Sequence, residues 1–477
     1  MLKGMIRGVV VMLLISLALG VVHDKDLVWK QEKDRVTGLP GLTFDVNFSH
    51  YSGYVRVNEN PGRFLFYWFF EAVEDPSSNP LVLWLQGELF SRTWVFLHRI
   101  REAVEIGPFH INADGKTLYL NPYSWNQVAN IIFLESPVGT GFSYSRSPSD
   151  VEENGDERTA KDSLAFLLEW FERFPQYKGR EFYITGESYA GHYIPQLSQA
   201  IDSDLMKLED IVLNVDRSVM QVGNALTDDF NDHKGVREYL WSNGFISDQT
   251  YKLYKIFCSE DSFLQRSENC KKISDVVQNE LGKVDIYSIF TPYCTSTTTD
   301  ISFASNSPQR KFGQINETYD PCSKNYAAAY FNVPEVQKAL HVDPEAAPHK
   351  WEICNRLIFN TWKDSASSVL DIYLELIRGG LRIWIYSGDA DTVIPVTSTR
   401  CNIDTLNLPI ASPWHPWSMD GQVGGWNQEY RGLNFVTIRG AGHMVPQTRP
   451  KEALVLFKSF LSGTPLPTMP TLADTDV

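Results

Sequence analysis

The chain lacks the usual signs of a membrane-spanning or metal-dependent protein. After residue 20 no apolar run reaches the roughly 20 residues that a bilayer-spanning helix needs. There is no His-Glu-x-x-His sequence, and no pair of Cys or His residues has the close spacing of metal ligands. The sequence therefore predicts no metal site and no cofactor.

Positive charge is scarce relative to negative charge. The 477 residues include 43 Lys plus Arg and 58 Asp plus Glu, which gives a formal net charge of −15. This balance argues against nucleic acid and anionic membranes as partners, because both attract basic proteins. An acidic surface suits a mildly acidic compartment, and it is equally a common route to solubility. With 43% hydrophobic residues, the chain can bury a large core as one enlarged domain.

Cysteines are also few, and whether they form disulfide bonds depends on the compartment. Residues 1–20 place Lys3 and Arg7 before a short apolar run that ends in small residues. This pattern predicts a cleaved secretory signal rather than a membrane anchor. Most of the six cysteines should then pair in an oxidising route. Asn47 and Asn316 lie in glycosylation sequons, which become meaningful in a secreted chain.

A sharp turn from strand to helix is the most informative local pattern. Gly-Glu-Ser-Tyr-Ala-Gly at residues 186–191 follows a short strand at residues 181–185 and opens a helical run from Tyr189. A serine at such a turn, here Ser188, exposes its hydroxyl, and the next backbone N–H faces the developing oxyanion. The pattern is typical of a nucleophile elbow, although by itself it also fits an ordinary strand-to-helix turn.

An acid and a histidine follow later strands. One strand ends in Gly-Asp-Ala-Asp, which contains Asp389 and Asp391. Spacing alone does not decide which of the two is the catalytic acid. Another strand leads into a glycine-rich loop that contains His443. The order Ser, Asp, His is that of α/β-hydrolases. In such a site Ser188 attacks a carbonyl carbon, His443 transfers the proton, and the acid orients the imidazole.

The wider pattern predicts an α/β fold with a mixed, mostly parallel sheet and helices on both faces. Strands are expected at residues 54–57, 64–70, 81–85, 131–134, 182–185, 219–222, 381–386 and 433–438. The first two should form an antiparallel pair. An amphipathic helix should run from about Asp156, which can cap it, to Phe174, and a last helix should cover residues 451–461.

The alternation of strands and helices is interrupted in the middle of the chain. Residues 21–226 and 353–463 are predicted to form the core, and residues 464–477 a tail. Residues 227–352 predict an inserted helical cap that shapes the substrate cleft. Within it, residues 295–314 are polar and rich in Ser and Thr, so this segment should be exposed.

Together these patterns resemble the serine carboxypeptidases, most closely the plant members that are cut into two chains. The resemblance rests on residues 135–144, 186–193, 223–224, 386–391 and 440–446. It implies an α/β-hydrolase fold and a secreted or vacuolar exopeptidase that releases C-terminal residues from peptides or proteins. It places the orienting acid on Asp391 and leaves Asp389 structural. It also suggests a homodimer, which the composition does not test.

Glu187 stands directly before the nucleophile, where a carboxylate would repel an oxyanion. In the family, the residue that matches Glu187 hydrogen-bonds the peptide's C-terminal carboxylate, together with an acid that matches Glu105. Two crowded carboxyl groups share a proton, so one can still donate at mildly acidic pH. The resemblance therefore implies an acidic optimum. The alternative is a solvated acid that the helix dipole favours.

The resemblance also implies two disulfide bonds, Cys258 with Cys270 and Cys294 with Cys322. It places proteolytic trimming in the linker at residues 295–314, where the second disulfide would hold the two chains together. An untrimmed exposed loop is an equal alternative.

The chain departs from the family directly after the strand at residues 81–85. The family has Asn-Gly-Gly-Pro-Gly-Cys-Ser-Ser there, whereas residues 86–94 are Gln-Gly-Glu-Leu-Phe-Ser-Arg-Thr-Trp. Gln86 and Gly87 can still contact a substrate carboxylate. The backbone N–H groups of Glu88 and Tyr189 are the expected oxyanion donors. The missing cysteine leaves open the partner of Cys354, for which Cys401 is the only other thiol.

This departure leaves more than one function open. Losing one oxyanion donor costs on the order of 10² to 10³ in turnover. A non-glycine residue in left-handed geometry costs roughly 1 to 2 kcal/mol. The alternatives to a peptidase are an acyltransferase on the same scaffold and a catalytically silent binding protein. Residues 88–104 are either a divergent loop or the product of a misplaced splice boundary.

Overall fold

A computed structural model describes most of the chain. The described residues are 27–60, 62–87, 105–204, 219–259, 267–295, 319–344, 350–352 and 355–469. Outside them lie several features predicted from the sequence, namely the leader at residues 1–20, the segment 88–104 with Glu88, residues 296–314 of the linker, Asn316 and Cys354.

Strands and helices alternate along the described chain. The strands are β1 (His50–Arg56), β2 (Arg63–Phe70), β3 (Leu81–Gln86), β4 (Phe109–Ile111), β5 (Leu118–Leu120), β6 (Asn130–Leu134), β7 (Tyr144–Ser145), β8 (Phe182–Glu187), β9 (Val219–Gly223), β10 (Arg382–Gly388), β11 (Ile410–Met419), β12 (Gln422–Tyr430) and β13 (Leu433–Ile438). The α-helices are α1 (Asp156–Arg173), α2 (Ala190–Asp204), α3 (Asp229–Ser242), α4 (Asp248–Phe257), α5 (Glu268–Leu281), α6 (Ser323–Phe331), α7 (Pro334–Ala339), α8 (Arg356–Thr361), α9 (Leu370–Arg378), α10 (Val396–Thr405), α11 (Val445–Thr448) and α12 (Pro450–Ser462). Residues 27–34 are also helical.

One large sheet organises the molecule. Its strand order is β1-β2-β6-β3-β8-β9-β10-β13-β12-β11, and β7 pairs with β2 outside this path. The central strands, from β6 to β13, pair in parallel. The outer strands on each side pair antiparallel. Strands β4 and β5 form a separate small hairpin.

The sequence of β3 explains why helices cover both faces of this sheet. Successive side chains of a strand point to opposite faces. Leu81, Leu83 and Leu85 belong to one buried cluster with residues of α1, α2 and α9. Val82 and Trp84 belong to a second cluster, which includes residues of α6 and α12. An apolar run that is buried on both faces is typical of a central parallel strand, and the predicted fold class is confirmed.

The predicted core strands are confirmed, and two helix starts are corrected. Gly155 precedes α1 at the N-cap position, and Asp156 is the first helical residue, so the expectation that Asp156 caps this helix is wrong. Helix α2 begins at Ala190 rather than at Tyr189. Tyr189 instead belongs to the turn that joins β8 to α2.

The long β11–β12 hairpin was not predicted from the sequence. Strand β11 carries Pro413 and Pro416, and most of its side chains are partly or fully exposed. Proline cannot donate a backbone hydrogen bond, so a strand that contains it is confined to the edge of a sheet. Strand β11 lies at that edge.

The region predicted as an inserted cap carries helices α3 to α7 in its described parts. Both disulfide bonds implied by the resemblance are present, with Cα–Cα distances of 5.0 Å for Cys258–Cys270 and 5.2 Å for Cys294–Cys322. Cys401 is half-buried and forms no disulfide bond with another described residue. Within the described ranges, no helix combines the length and apolar character required to cross a bilayer.

Candidate active site

The sheet brings four loops to one edge. Strands β8, β9, β10 and β13 are neighbours and run parallel, so their carboxyl ends lie side by side. Ser188 directly follows β8 and Asn224 directly follows β9. Asp391 lies in the loop after β10, and His443 lies in the loop after β13. Open α/β sheets form their ligand sites at this edge.

Ser188 occupies a tight and strained turn. Its φ of 65° is in the left-handed region, and only 2% of its surface is exposed. The Ser188 N–H donates to the Gly223 carbonyl at 3.0 Å, while the Ser188 carbonyl accepts from Gly191 and Leu226 at 3.0 Å each. A Cβ on Gly191 would lie 2.2 Å from the Leu226 carbonyl oxygen. The small residue therefore allows the close approach that this turn requires.

His443 and Asp391 form a buried pair. The distance between His443 Nδ1 and Asp391 Oδ2 is 2.7 Å, and Asp391 has no exposed surface. The carboxylate also accepts hydrogen bonds from the backbone N–H groups of Val393 at 2.7 Å and Ile394 at 3.0 Å. Asp391 Oδ2 accepts the hydrogen bond from the Nδ1–H of the imidazole and so selects this tautomer. The Nε2 atom is then the one that can take up a proton.

Asp389, the other candidate acid, has different partners. Its Oδ1 accepts from the Gly440 N–H at 2.6 Å, and its backbone carbonyl accepts from the Tyr239 hydroxyl at 2.5 Å. Burial raises the pKa of the Asp389 carboxyl. Its side chain ties the acid loop to the loop that carries His443.

Asn224 links the elbow to the acid loop, and no role for it was predicted from the sequence. Its Nδ2 donates to Asp391 Oδ2 at 2.9 Å, and its Oδ1 accepts from the Gly388 N–H at 3.0 Å. The neighbouring Gly223 carbonyl is the acceptor for the Ser188 N–H. The signal for this residue in the sequence is the Gly-Asn pair at the end of β9.

A second group of buried polar side chains lies beside the elbow. Glu187 and Glu105 are 0% and 1% exposed. Gln86 Nε2 donates to Glu187 Oε1 at 3.0 Å, and Trp84 Nε1 donates to Gln86 Oε1 at 3.2 Å. Burial, followed by the charges of Glu187 and Glu105, raises the pKa of the Tyr386 hydroxyl well above its usual value.

Gly87 lies against the turn that follows the nucleophile. Its N–H donates to the Glu187 carbonyl at 3.0 Å. A Cβ at this position would lie 2.2 Å from the Tyr189 nitrogen and 2.0 Å from the Ala190 nitrogen. Any side chain at residue 87 would therefore collide with the backbone of the turn that follows Ser188. Glu88, the other expected oxyanion donor, is outside the described residues.

A segment of the insert supports the histidine and acid loops. The His443 N–H donates to the Tyr287 carbonyl at 2.6 Å, and the two rings meet edge to face with centroids 5.3 Å apart. The Ile289 N–H donates to the Ala390 carbonyl, and the Thr392 N–H donates to the Ile286 carbonyl, each at 3.0 Å. The sequence held no local signal for this contact, because the residues are distant along the chain.

Comparison with known proteins gives matches along nearly the whole chain. A family model described as serine carboxypeptidase matches residues 40–463. Serine carboxypeptidase-like 29 of Arabidopsis thaliana is 57% identical over 442 residues, which are 92% of this chain and 90% of that protein. Serine carboxypeptidase 24 of the same plant is 46% identical over 446 residues, 92% of this chain and 94% of that protein.

A solved structure supports the fold. The prohormone-processing carboxypeptidase KEX1 of Saccharomyces cerevisiae matches with a TM-score of 0.73 at 20% sequence identity. The match covers 91% of this chain and 96% of that chain. The α/β-hydrolase fold is thereby confirmed.

Proposed function

The chain belongs to the serine carboxypeptidase family, and we propose that it releases C-terminal residues from peptides through Ser188, His443 and Asp391. One observation carries the proposal. His443 and Asp391 are hydrogen-bonded at 2.7 Å, at the sheet edge where Ser188 sits in a strained elbow.

In the proposed reaction, Ser188 Oγ attacks the scissile carbonyl carbon while His443 Nε2 takes the hydroxyl proton. The buried Asp391 carboxylate holds Nδ1–H and stabilises the imidazolium that forms. Backbone N–H groups of Tyr189 and Glu88 stabilise the oxyanion. The proton then passes to the leaving amine, and the acyl-enzyme forms. Water, deprotonated by His443, releases the acid and restores Ser188.

The specificity for a C-terminus is proposed to come from Glu187, Glu105 and Gln86. Two adjacent carboxyl groups in a buried site retain one proton at mildly acidic pH. The protonated group donates to the substrate carboxylate, with Gln86 and the backbone at Gly87 close by. As pH rises, both carboxyl groups lose their protons and repel the substrate. We therefore expect KM for peptides to rise towards neutral pH.

The same family membership supports a secretory route. The two disulfide bonds fit an oxidising compartment, and the Asn47 side chain is exposed as a glycosylated residue must be. We propose cleavage of the leader at residues 1–20 and a secreted or vacuolar location. Membrane binding and nucleic-acid binding are not part of this proposal, and a homodimer stays a prediction.

A matched pair of substrates tests the proposed exopeptidase. The purified protein is incubated at about pH 5, where one carboxyl of the pair is protonated, with an N-blocked dipeptide and with the C-terminal amide of that dipeptide. We expect release of the last residue from the free acid, much slower cleavage of the amide, and no release by Ser188→Ala. Equal rates on both substrates would contradict the role of the carboxyl pair.

The altered segment after Gly87 makes two other outcomes informative. An acylated sugar and an alcohol acceptor are added as a second assay. Acyl transfer without peptide release would identify an acyltransferase. Neither peptide release nor acyl transfer would identify a silent binding protein.

A further inference from the structure

A buried carboxylate lies behind the nucleophile elbow, outside the groups assigned above. Asp156 is 2% exposed and begins α1. Its Oδ1 accepts from the Tyr189 hydroxyl at 2.9 Å and from Trp362 Nε1 at 3.1 Å. Its Oδ2 lies 2.9 Å from His192 Nδ1 and accepts from Gln196 Nε2 at 3.1 Å. Four donors therefore converge on one side chain.

This arrangement suits a carboxylate, because each of its two oxygens can accept two hydrogen bonds. A buried polar group without such partners would be destabilising. The contacts to Asp156 also assign Nδ1–H as the donor of His192.

Three of the four donors belong to the elbow and the helix that follows it. Tyr189 is the residue after Ser188, and His192 and Gln196 lie on the first turns of α2. The Tyr189 ring stacks on the His192 ring, with centroids 4.6 Å apart and an interplanar angle of 19°. Asp156 therefore fixes the side chain of Tyr189. The backbone N–H of this same residue is the proposed oxyanion donor.

The chain that returns to the core after the insert completes the cluster. The Tyr189 hydroxyl also contacts Ser365 Oγ at 2.5 Å. The Asp156 N–H donates to the Asp364 carbonyl at 3.1 Å. With Trp362, this segment supplies further partners for Tyr189 and Asp156. The elbow is thus tied both to α1 and to the later half of the core.

We propose that Asp156 is a positioning residue, which holds Tyr189 and His192 so that the strained Ser188 turn and the Tyr189 N–H keep the geometry for oxyanion stabilisation. A residue in a sparsely populated backbone region persists only where its surroundings determine its conformation. This inference rests on the proposed function, because it assigns Asp156 a part in the Ser188 reaction.

The expected effect is on turnover rather than on substrate binding. Asp156→Asn preserves the shape of the side chain but replaces one acceptor oxygen with a donor, so two of the four donors lose their partner. Losing an entire oxyanion donor costs on the order of 10² to 10³ in kcat, and a displaced donor should cost less, roughly 10- to 100-fold. KM should change little, because Glu187 and Glu105 belong to the separate carboxyl pair.

A matched control lies on the same helix. Asp162 is 4% exposed and pairs with Arg63 through two contacts of 2.7 Å. Asp162→Asn should lower the Tm, as should Asp156→Asn, but leave kcat within about twofold of wild type, because Asp162 pairs with Arg63 and Arg158, which lie outside the Ser188 turn. The measurements are kcat and KM on the peptide substrate, the rate constant for Ser188 modification by a fluorophosphonate, and the Tm.

A lower kcat and slower modification in Asp156→Asn, with the values of Asp162→Asn near wild type, would support the inference. Equal kcat in the two variants would overturn it, as would a raised KM with an unchanged kcat.

If Asp156→Asn does not fold, Tyr189→Phe keeps the ring stack and removes one donor to Asp156. We expect this variant to lower kcat several-fold at nearly unchanged Tm, and unchanged kcat would overturn the inference. A wild-type protein that neither cleaves nor labels would refute the proposed function and this inference together.

Discussion

Asp229 should make the folded protein more stable in acid than at neutral pH. It begins α3, is 2% exposed, and its Oδ1 atom is buried without a hydrogen-bond partner among the described residues. Burial, and then the charges of Asp232, Asp228 and Asp156, raise the pKa of the Asp229 carboxyl from 3.8 to about 8. The folded state therefore binds this proton more tightly than the unfolded chain does.

The sign of the effect follows from these two pKa values. The contribution of Asp229 to stability is complete below the unfolded pKa of 3.8 and is lost as pH rises through the folded pKa of about 8. Each pH unit inside this window lowers the free energy of unfolding by about 1.4 kcal/mol. Between about pH 5 and pH 7 the loss from this one group is about 3 kcal/mol.

Asp229→Asn removes the titrating group and keeps its shape. The assay is urea unfolding of wild type and variant at three pH values across the window. We expect the free energy of unfolding of the variant minus that of wild type to be about 3 kcal/mol larger at about pH 7 than at about pH 5.

A matched control is Asp371→Asn, which changes an exposed acid in the first turn of α9. The free energy of unfolding of Asp371→Asn should change with pH as that of wild type does. Parallel pH profiles for wild type and Asp229→Asn would refute the reasoning, because they would show that this carboxyl does not change its proton affinity on folding.

Three further predictions concern the candidate site. Gly87→Ala should abolish peptide release, because its Cβ would lie 2.2 Å from the Tyr189 nitrogen; activity near wild type would show that Gly87 is not beside a working oxyanion site. Asn224→Ala removes the Nδ2 donor to Asp391 and should lower kcat roughly 10-fold, as expected for a lost hydrogen bond to a charged group; steady-state kinetics on the blocked dipeptide measure this. Glu187→Gln should flatten the rise of KM with pH, because an amide does not titrate; an unchanged KM profile would remove Glu187 from carboxylate binding.

Elements whose own residues determine their surroundings could be predicted from the sequence. Strand β3 is apolar throughout, so burial on both faces could be inferred from its composition alone. The turn at Ser188 could be located because its glycines mark close backbone contacts. The choice between Asp389 and Asp391 came from family resemblance, since both follow the same strand at nearly the same distance.

Long-range contacts could not be predicted in this way. Local pattern assigned Asp156 to a helix cap, whereas its carboxylate accepts from Tyr189 and from Trp362, residues far apart in sequence. Tyr287 lies in the insert, yet its carbonyl accepts the N–H of His443. Such contacts depend on how the sheet order brings distant loops together, which no short segment encodes.

The reactivity of Ser188 tests the central claim most directly. The wild-type protein is treated with a fluorophosphonate, and the modified residue is located by peptide mass spectrometry. We predict one label per chain, on Ser188, with labelling strongly slowed in His443→Ala. Absence of a label on Ser188, or equal labelling rates in wild type and His443→Ala, would contradict the claim that the imidazole activates this hydroxyl.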